Sequence, residues 1–356
     1  MNLPQGVRSD AVTTDRLRMH YLESGPEDGI PVLLIHGNLS TGRFYEHLFP
    51  GAPDGYRLIA PDMRGFGDTE RVPIDATRGL RDWADDTHAL MRALGITEPL
   101  HLAGWSTGGA AIAHYAMDRP VASLTFIDPV SPYGYGGVRA DGTPAFPDYA
   151  GSGGGTGSPD FRQRIADGDR SAESPFSPRS VINSSYWSAQ HREPPEREDM
   201  LLEEVLKSVT GEDGYPGDFT PSENWPGVAP GTRGILNALS PKYCNWSGIV
   251  DLDPKPPILW THGSDDIVVA DGSAWEMGAL GKMGVVPGWP GEEVFPPQPM
   301  VSQIRSVLER YREAGGKVQM ITFEGSGHGP IFDAAERWSG LFFSFLASVP
   351  EQSRTV

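Results

Sequence analysis

The chain has 356 residues, of which 38% are hydrophobic, so it can bury the core of one large domain or of two smaller ones. Its 29 Lys and Arg residues stand against 47 Asp and Glu residues, and the resulting formal net charge of −18 repels nucleic-acid phosphates and anionic lipid surfaces. We therefore expect neither nucleic acid nor a membrane as a partner.

The single cysteine, Cys244, excludes an intrachain disulfide framework and fits a reducing compartment. Residues 1–10 lack the cationic and apolar blocks of a signal peptide, and the longest strongly apolar stretch, near 341–346, is too short to span a bilayer. We expect a cytoplasmic protein that acts on a small molecule. Composition leaves the oligomeric state open, a homo-oligomer included.

Short apolar runs alternate with helical patterns in the first part of the chain. We predict strands at 16–22, 31–35, 56–60, 99–103 and 123–128, and helices at 43–49, 80–94 and 110–117. An alternation of this kind builds a parallel sheet that is covered by helices on both faces.

The alternation stops after Pro129. Residues 131–160 are rich in glycine and proline, and helical patterns return between 160 and 239, most clearly at 196–209. This insertion is too long for a simple connection, so we interpret residues 130–255 as a cap between two parts of one core, 1–129 and 256–356. The second part is predicted to contain strands at 257–261 and 317–323 and helices at 301–313 and 331–346.

The most informative motif is GWSTGG at residues 104–109, which joins a predicted buried strand to a helix of small residues. Glycines on both sides of Ser106 allow the sharp, strained turn that exposes a nucleophile at a sheet edge. Ser106 is therefore the candidate nucleophile. The alternative is a glycine-rich turn without chemistry.

A serine nucleophile needs a base and a third group that orients the base. His328 lies in a glycine loop directly after a predicted strand, so we predict it to be the base. Asp265 and Asp266 follow the strand at 257–261, and we prefer Asp266 as the orienting acid because an apolar triplet follows it. Asp265 and Asp128 remain the alternatives.

Negative charge that develops on a substrate oxygen needs prepositioned donors. The amide of Thr107, at the start of a helix, and that of Asn38, in the loop after an earlier strand, are the candidates. Behind them, Asp62 and Arg64 are predicted to form a tight turn with a buried ion pair.

Taken together, residues 36–38 (HGN), 62–69, the turn at Ser106, residues 263–266 and His328 resemble the α/β-hydrolase superfamily, in particular its esterases, lactonases and haloperoxidase-like members. The resemblance implies an α/β-hydrolase fold with a mostly parallel eight-stranded sheet flanked by helices, a large, mainly helical cap after the sixth strand, and no cofactor. Related epoxide hydrolases and dehalogenases carry aspartate where Ser106 stands, which argues against both activities.

The resulting hypothesis is a serine hydrolase that cleaves a carboxylic ester or a lactone through an acyl-enzyme. Cleavage of a carbon-carbon or amide bond by the same side chains, or a receptor that captures a ligand without turnover, are the alternatives. No metal is expected, because no histidines or cysteines fall at ligand spacing. Four aromatic residues are candidates for the wall of a substrate pocket: Trp105, Tyr133, Trp187 and Trp289.

Overall fold

Eight strands form the central sheet of the protein, whose structure, a computed structural model, describes residues 3–350. In chain order they are β1 (Arg8–Thr13), β2 (Arg18–Ser24), β3 (Ile30–Ile35), β4 (Tyr56–Pro61), β5 (Leu100–Trp105), β6 (Val121–Ile127), β7 (Ile258–Gly263) and β8 (Val318–Phe323). Across the sheet the order is β1-β2-β4-β3-β5-β6-β7-β8. The pairs β1-β2 and β2-β4 are antiparallel and the other five pairs are parallel, so the predicted eight-stranded, mostly parallel sheet is confirmed.

Helices cover the sheet because each presents one apolar stripe to it. Trp83 and Leu90 are buried side chains of the helix at Arg81–Ala93, and Trp338 and Phe342 are buried side chains of the helix at Ala335–Ser348. The flanking helices are α1 (Arg81–Ala93), α2 (Thr107–Asp118), α8 (Met300–Glu313), α9 (Pro330–Asp333) and α10 (Ala335–Ser348).

Three details of the sequence prediction for the core need correction. Strand β1 was not predicted, because it is an edge strand with largely exposed side chains and therefore lacks an apolar run. The predicted helix at 43–49 is a 3-10 helix over Gly42–Gly51, with Pro50 inside it. The predicted helix at 331–346 is two helices, which are separated at Ala334.

A long insertion separates β6 from β7. Its helices are α3 (Pro159–Ala166), α4 (Pro178–Ser185), α5 (Pro195–Leu206) and α6 (Ile235–Ala238), and its short strands are Thr210–Gly211, Tyr215–Pro216, Phe219–Pro221 and Val228–Pro230. Further short 3-10 helices lie at Gly154–Thr156 and Ser247–Asp251, besides Ala76–Arg78 in the core. Most insertion residues lie outside helices, so the expectation of a mainly helical segment was wrong; glycine and proline interrupt the helices too often.

A second segment, residues 271–299, packs against this insertion and contains the short helix α7 (Met277–Lys282). Trp225 of the insertion donates from Nε1 to the carbonyl of Pro287 at 2.9 Å, and its ring centroid lies 4.9 Å from that of Phe295. The predicted boundary of the cap at residue 255 therefore excludes a segment that packs against the insertion.

No helix within residues 3–350 is both long and apolar enough to cross a bilayer. Apolar side chains of the insertion, such as Phe161 and Leu201, belong to the same buried cluster as those of the sheet, such as Leu102 and Phe126. The insertion and the sheet therefore share one hydrophobic core.

Strand β5 and helix α2 approach each other so closely that only glycine fits between them. A Cβ atom on Gly104 would lie 2.3 Å from the carbonyl oxygen of Gly108, and one on Gly108 would lie 2.1 Å from that of Ile35. Real Cβ atoms do not come this near to backbone, so any larger residue must separate the helix from the sheet.

Replacing Gly104 with alanine is expected to lower the free energy of unfolding by at least about 2 kcal/mol, because the added methyl group overlaps backbone that cannot move aside. The matched control is Gly340→Ala on the exposed side of α10, where a Cβ meets nothing within 4 Å. That change is expected to be neutral or to stabilise by up to about 1 kcal/mol. Denaturant unfolding measures both, and equal effects would contradict the close-contact account.

Candidate active site

Ser106 occupies the turn between β5 and α2 in a backbone conformation that residues other than glycine rarely adopt. Its φ is 54° and its ψ is −116°, and its amide donates to the carbonyl of Ile127 at 2.9 Å. A positive φ at a non-glycine residue is strained and persists only where the surrounding structure enforces it. The contacts at Gly104 and Gly108 enforce it here, and Ser106 borders a cavity.

His328 lies in the loop after β8, in the position predicted for it, and is held on two sides. Its Nδ1 lies 2.8 Å from Oδ2 of Asp266, and its carbonyl oxygen accepts a hydrogen bond of 2.7 Å from Nε1 of Trp105. Because Nδ1 is engaged by the carboxylate, Nε2 is the nitrogen left for a reacting group. His328 borders the same cavity as Ser106.

Asp266, rather than its neighbour Asp265, is the carboxylate beside the imidazole. Its other oxygen, Oδ1, accepts from the amides of Val268 and Val269 at 2.7 and 3.1 Å, so the apolar triplet after it fixes its orientation. Asp265 is exposed and contacts Ser264.

Asp128, at the end of β6, lies behind this pair. Its Oδ1 accepts from the amide of Gly263 at 2.9 Å and lies 3.0 Å from Nδ1 of His262. Asp128, His262 and Asp266 bring candidate ligand atoms within 4.8 Å of one another, and so do His20, Asp62 and Asp68. Sequence spacing did not predict these groupings, because each brings together a strand histidine and carboxylates from separate parts of the chain.

The charges around His328 favour its protonated form. Burial alone would lower the pKa of His328, but the Asp266 carboxylate, helped by Asp128, outweighs burial and raises the pKa above its ordinary value of 6.5, while His262 acts in the opposite direction. Burial raises the pKa of Asp128 to about 7, against the effect of its bond to His262. The imidazole is therefore a stronger base than a free histidine.

Ser106 and His328 share a cavity but not a hydrogen bond in this structure, as judged from the contacts of residues 3–350. Proton transfer requires the hydroxyl and the ring nitrogen to come within roughly 2.6 to 3.2 Å, and in sites without substrate this contact is often longer.

The loop after β3 lies directly against the nucleophile turn. A Cβ atom on Gly37 would lie 3.2 Å from the Cβ of Ser106, which places the neighbouring Asn38 at the same site. Burial lowers the pKa of His36 to about 4, so the ring is neutral; its Nδ1 lies 2.7 Å from the carbonyl of Gly37, and its Nε2 accepts from the amide of Met63 at 2.8 Å. His36 thus fixes the loop.

Asn38 and Thr107 both border the cavity. Thr107 is the first residue of α2, where amide groups have no partner within the helix. Within residues 3–350 the side-chain oxygens Asn38 Oδ1 and Thr107 Oγ1 are buried without hydrogen-bond partners. Donors and acceptors for a ligand therefore gather beside Ser106.

The turn predicted around Asp62 and Arg64 contains two separate ion pairs rather than one. Asp62 lies 2.7 Å from Nδ1 of His20, while Arg64 donates to Asp86 on α1 at 2.8 and 2.9 Å. Asp62 also accepts from the amide of Gly42 at 2.9 Å, so its role is to hold the loops behind the site together.

The cavity in front of Ser106 has a volume of about 370 Å³. Trp105, one of the four predicted wall residues, borders it. The other three lie elsewhere: the hydroxyl of Tyr133 lies 3.3 Å from Arg310, Trp187 packs on His191, and Trp289 donates to the carbonyl of Phe295. These three predictions were wrong because short aromatic segments outside regular elements do not reveal which way a side chain points.

The residues that do form the wall were missed by sequence reasoning. They come from the insertion and from the 271–299 segment, and the larger ones are Tyr135, Phe161, Phe176, Tyr186, Tyr215, Trp275 and Leu280. No motif or periodicity marked them, because they lie in short helices and loops that distant contacts bring together.

Known proteins that resemble this chain point to one family. The sequence profile of the family described as alpha/beta hydrolase fold matches residues 30–298. Among curated proteins, the chain is 37% identical over 129 residues to the cis-3-alkyl-4-alkyloxetan-2-one decarboxylase of Xanthomonas campestris, covering 33% of this chain and 43% of that protein. It is 44% identical over 62 residues to the haloalkane dehalogenase of Mycobacterium marinum, covering 17% of this chain and 21% of that protein. The chain thus matches less than half the length of either relative.

Among solved structures, a putative aryl esterase from Burkholderia cenocepacia superposes with a TM-score of 0.59. The match covers 96% of this chain and 99% of that one at 17% sequence identity. At this identity the likeness shows the fold alone.

We expect the His328 imidazole to titrate above 6.5, measured from its ring resonances by NMR. Asp266→Asn should lower that midpoint by at least about one pH unit, because it removes the anion that stabilises the imidazolium. Asp265→Asn, which makes the same change at an exposed neighbour, should leave the midpoint unchanged. Equal shifts in the two variants would contradict the assigned geometry.

Proposed function

The chain belongs to the α/β-hydrolase family, and we propose that it is a serine hydrolase that cleaves a carboxylic ester or a lactone through an acyl-enzyme intermediate. One observation carries the proposal: Ser106, on a strained turn, borders the same cavity as His328, whose Nδ1 lies 2.8 Å from Asp266. A nucleophile, a base and an orienting acid in this arrangement fit acyl transfer.

In the proposed first step, Ser106 Oγ attacks the carbonyl carbon while Nε2 of His328 takes the hydroxyl proton. Asp266 keeps the proton of the ring on Nδ1 and stabilises the imidazolium that forms. The amides of Asn38 and Thr107 receive the negative oxygen of the tetrahedral intermediate, and each such donor typically contributes about 100- to 1000-fold in rate.

The imidazolium then gives its proton to the leaving alcohol, and the acyl group stays on Ser106. In the second half, His328 takes a proton from water, which attacks the acyl-enzyme; the acyl–Oγ bond breaks, the acid leaves, and the imidazolium returns its proton to Ser106 Oγ. The base form of His328 is needed in both halves, so the rate should rise with pH through a midpoint above 6.5.

We assign the insertion at residues 130–255 to a cap over the core formed by 1–129 and 256–356, and we extend the cap function to the 271–299 segment. Phe161 and Tyr215 from the insertion and Trp275 from the second segment border the cavity together. A cover of this kind shields an acyl-enzyme from bulk water.

Serine at position 106 favours ester or lactone hydrolysis over dehalogenation, because dehalogenases of this superfamily carry aspartate at that position. Two cavity tyrosines that could open an epoxide ring are engaged elsewhere: the Tyr135 hydroxyl donates to the carbonyl of Val268 at 2.8 Å, and that of Tyr186 to the carbonyl of Leu39 at 3.0 Å. The relative named as a decarboxylase of an oxetan-2-one, a four-membered lactone, supports lactones as molecules that such a site can bind.

Ser106→Ala is expected to lower kcat/KM for an activated ester by about 10⁴-fold or more, because it removes the nucleophile. Ser339→Ala on α10, whose exposed hydroxyl donates to the carbonyl of Glu336, serves as the folded control with unchanged rate. Steady-state hydrolysis of p-nitrophenyl butyrate measures both. Turnover that survives the first change in full would refute the assignment of the nucleophile.

Asp266→Asn is expected to reduce kcat by about 10³- to 10⁴-fold, since the imidazole loses both its orientation and its counter-charge. Asp265→Asn should retain nearly the full kcat. If Asp128→Asn rather than Asp266→Asn removes activity, the orienting acid is the one at the end of β6.

A further inference from the structure

The cavity in front of Ser106 contains no fixed charge. Among the described residues that line it there is no Asp, Glu, Lys or Arg, although these types make up 21% of the sequence. A buried anion or cation from a substrate would therefore find no opposite charge to pair with.

The ionisable groups that do line the cavity are neutral when the site is ready to react. Burial raises the pKa of Tyr135, Tyr186 and Tyr215 far above the physiological range. His328 must lose its proton to act as a base. Behind it, 2.8 Å from its Nδ1, lies the carboxyl group of Asp266, which offers no positive charge to an anionic ligand.

The walls are apolar on both sides. Phe161, Tyr215 and Leu236 of the insertion face a common space with Trp275 and Leu280 of the 271–299 segment. Toward solvent the lining stays apolar, because Phe176 is 45% exposed, Trp275 37% and Val285 65%. A ligand thus meets mostly apolar surface from the entrance inward, with uncharged polar groups such as Ser158 and Ser185 between.

We propose that the substrates are uncharged esters or lactones with an apolar acyl or alkyl part, and that the cavity rejects substrates carrying a carboxylate on that part. This inference rests on the proposed hydrolase function and adds the class of substrate. The protein's net charge of −18 acts in the same direction, because it slows the approach of anions.

The test compares p-nitrophenyl esters of straight-chain acids with a matched anionic ester. From acetate to hexanoate, kcat/KM should rise about two- to fourfold per methylene group, as the chain leaves water for the apolar wall. The p-nitrophenyl monoester of adipic acid has the same six-carbon acyl chain but ends in a carboxylate. Its kcat/KM should be at least about 100-fold below that of the hexanoate ester.

A cation at the cavity entrance should partly reverse this selectivity. Val285→Lys, at an exposed position on the rim, should raise kcat/KM for the adipate monoester about two- to fivefold, and high salt should remove the gain. The matched control is Val294→Lys, which adds the same charge at an exposed position of the same segment away from the cavity lining. It should leave the ratio of the two substrates unchanged.

The possible results test the substrate class separately from the hydrolase function. If the wild-type protein hydrolyses the adipate monoester as fast as the hexanoate ester, or shows no dependence on chain length, the substrate class is wrong while the hydrolase function stands. If it hydrolyses none of the esters and Ser106 does not react with a fluorophosphonate, the proposed function fails and this inference fails with it.

Discussion

The proposed site depends on how His328 is held. Its ring is fixed by the carboxylate of Asp266, and its backbone is fixed by the indole of Trp105, which is the residue immediately before Ser106. One loop is thereby tied to the ends of two different strands. The loop after β8 is held further by Asp333, which accepts from the amide of Gly327 at 2.8 Å, and the His328 ring lies 5.6 Å from that of Trp105.

Behind the imidazole the structure concentrates groups that favour positive charge. Asp266 and Asp128 both raise the pKa of His328, and His262 partly neutralises Asp128. In front of it the cavity lining is mostly apolar, and among residues 3–350 it includes no Asp, Glu, Lys or Arg. This division makes chemical sense for the proposed reaction, because an imidazolium forms transiently on one side while an uncharged substrate is held on the other.

The sheet and the approximate place of each candidate reactive residue could be predicted from the sequence because the determinants are local. Ser106 sits between glycines at a strand-to-helix junction, and Asp266 and His328 follow apolar strands. The parallel sheet then brings the ends of β5, β7 and β8 to one edge. The reactive roles of these residues stay predictions.

The substrate cavity could not be predicted in the same way. Phe161 and Tyr215 lie in an insertion with little periodicity, and Trp275 lies in a second segment that the sequence assigned to the core. Trp187 and Trp289 were no weaker candidates by composition, yet tertiary packing turns them away from the cavity. Side-chain direction in irregular backbone is set by distant contacts, which no local pattern records.

The most direct test of the central claim is to treat the folded protein with a fluorophosphonate and locate the adduct by peptide mass spectrometry. The account predicts one stoichiometric adduct on Ser106, formed faster as the pH rises past 6.5 and much more slowly when His328 is replaced by alanine. An adduct on another serine, or labelling of Ser106 at the same rate without the imidazole, would contradict it.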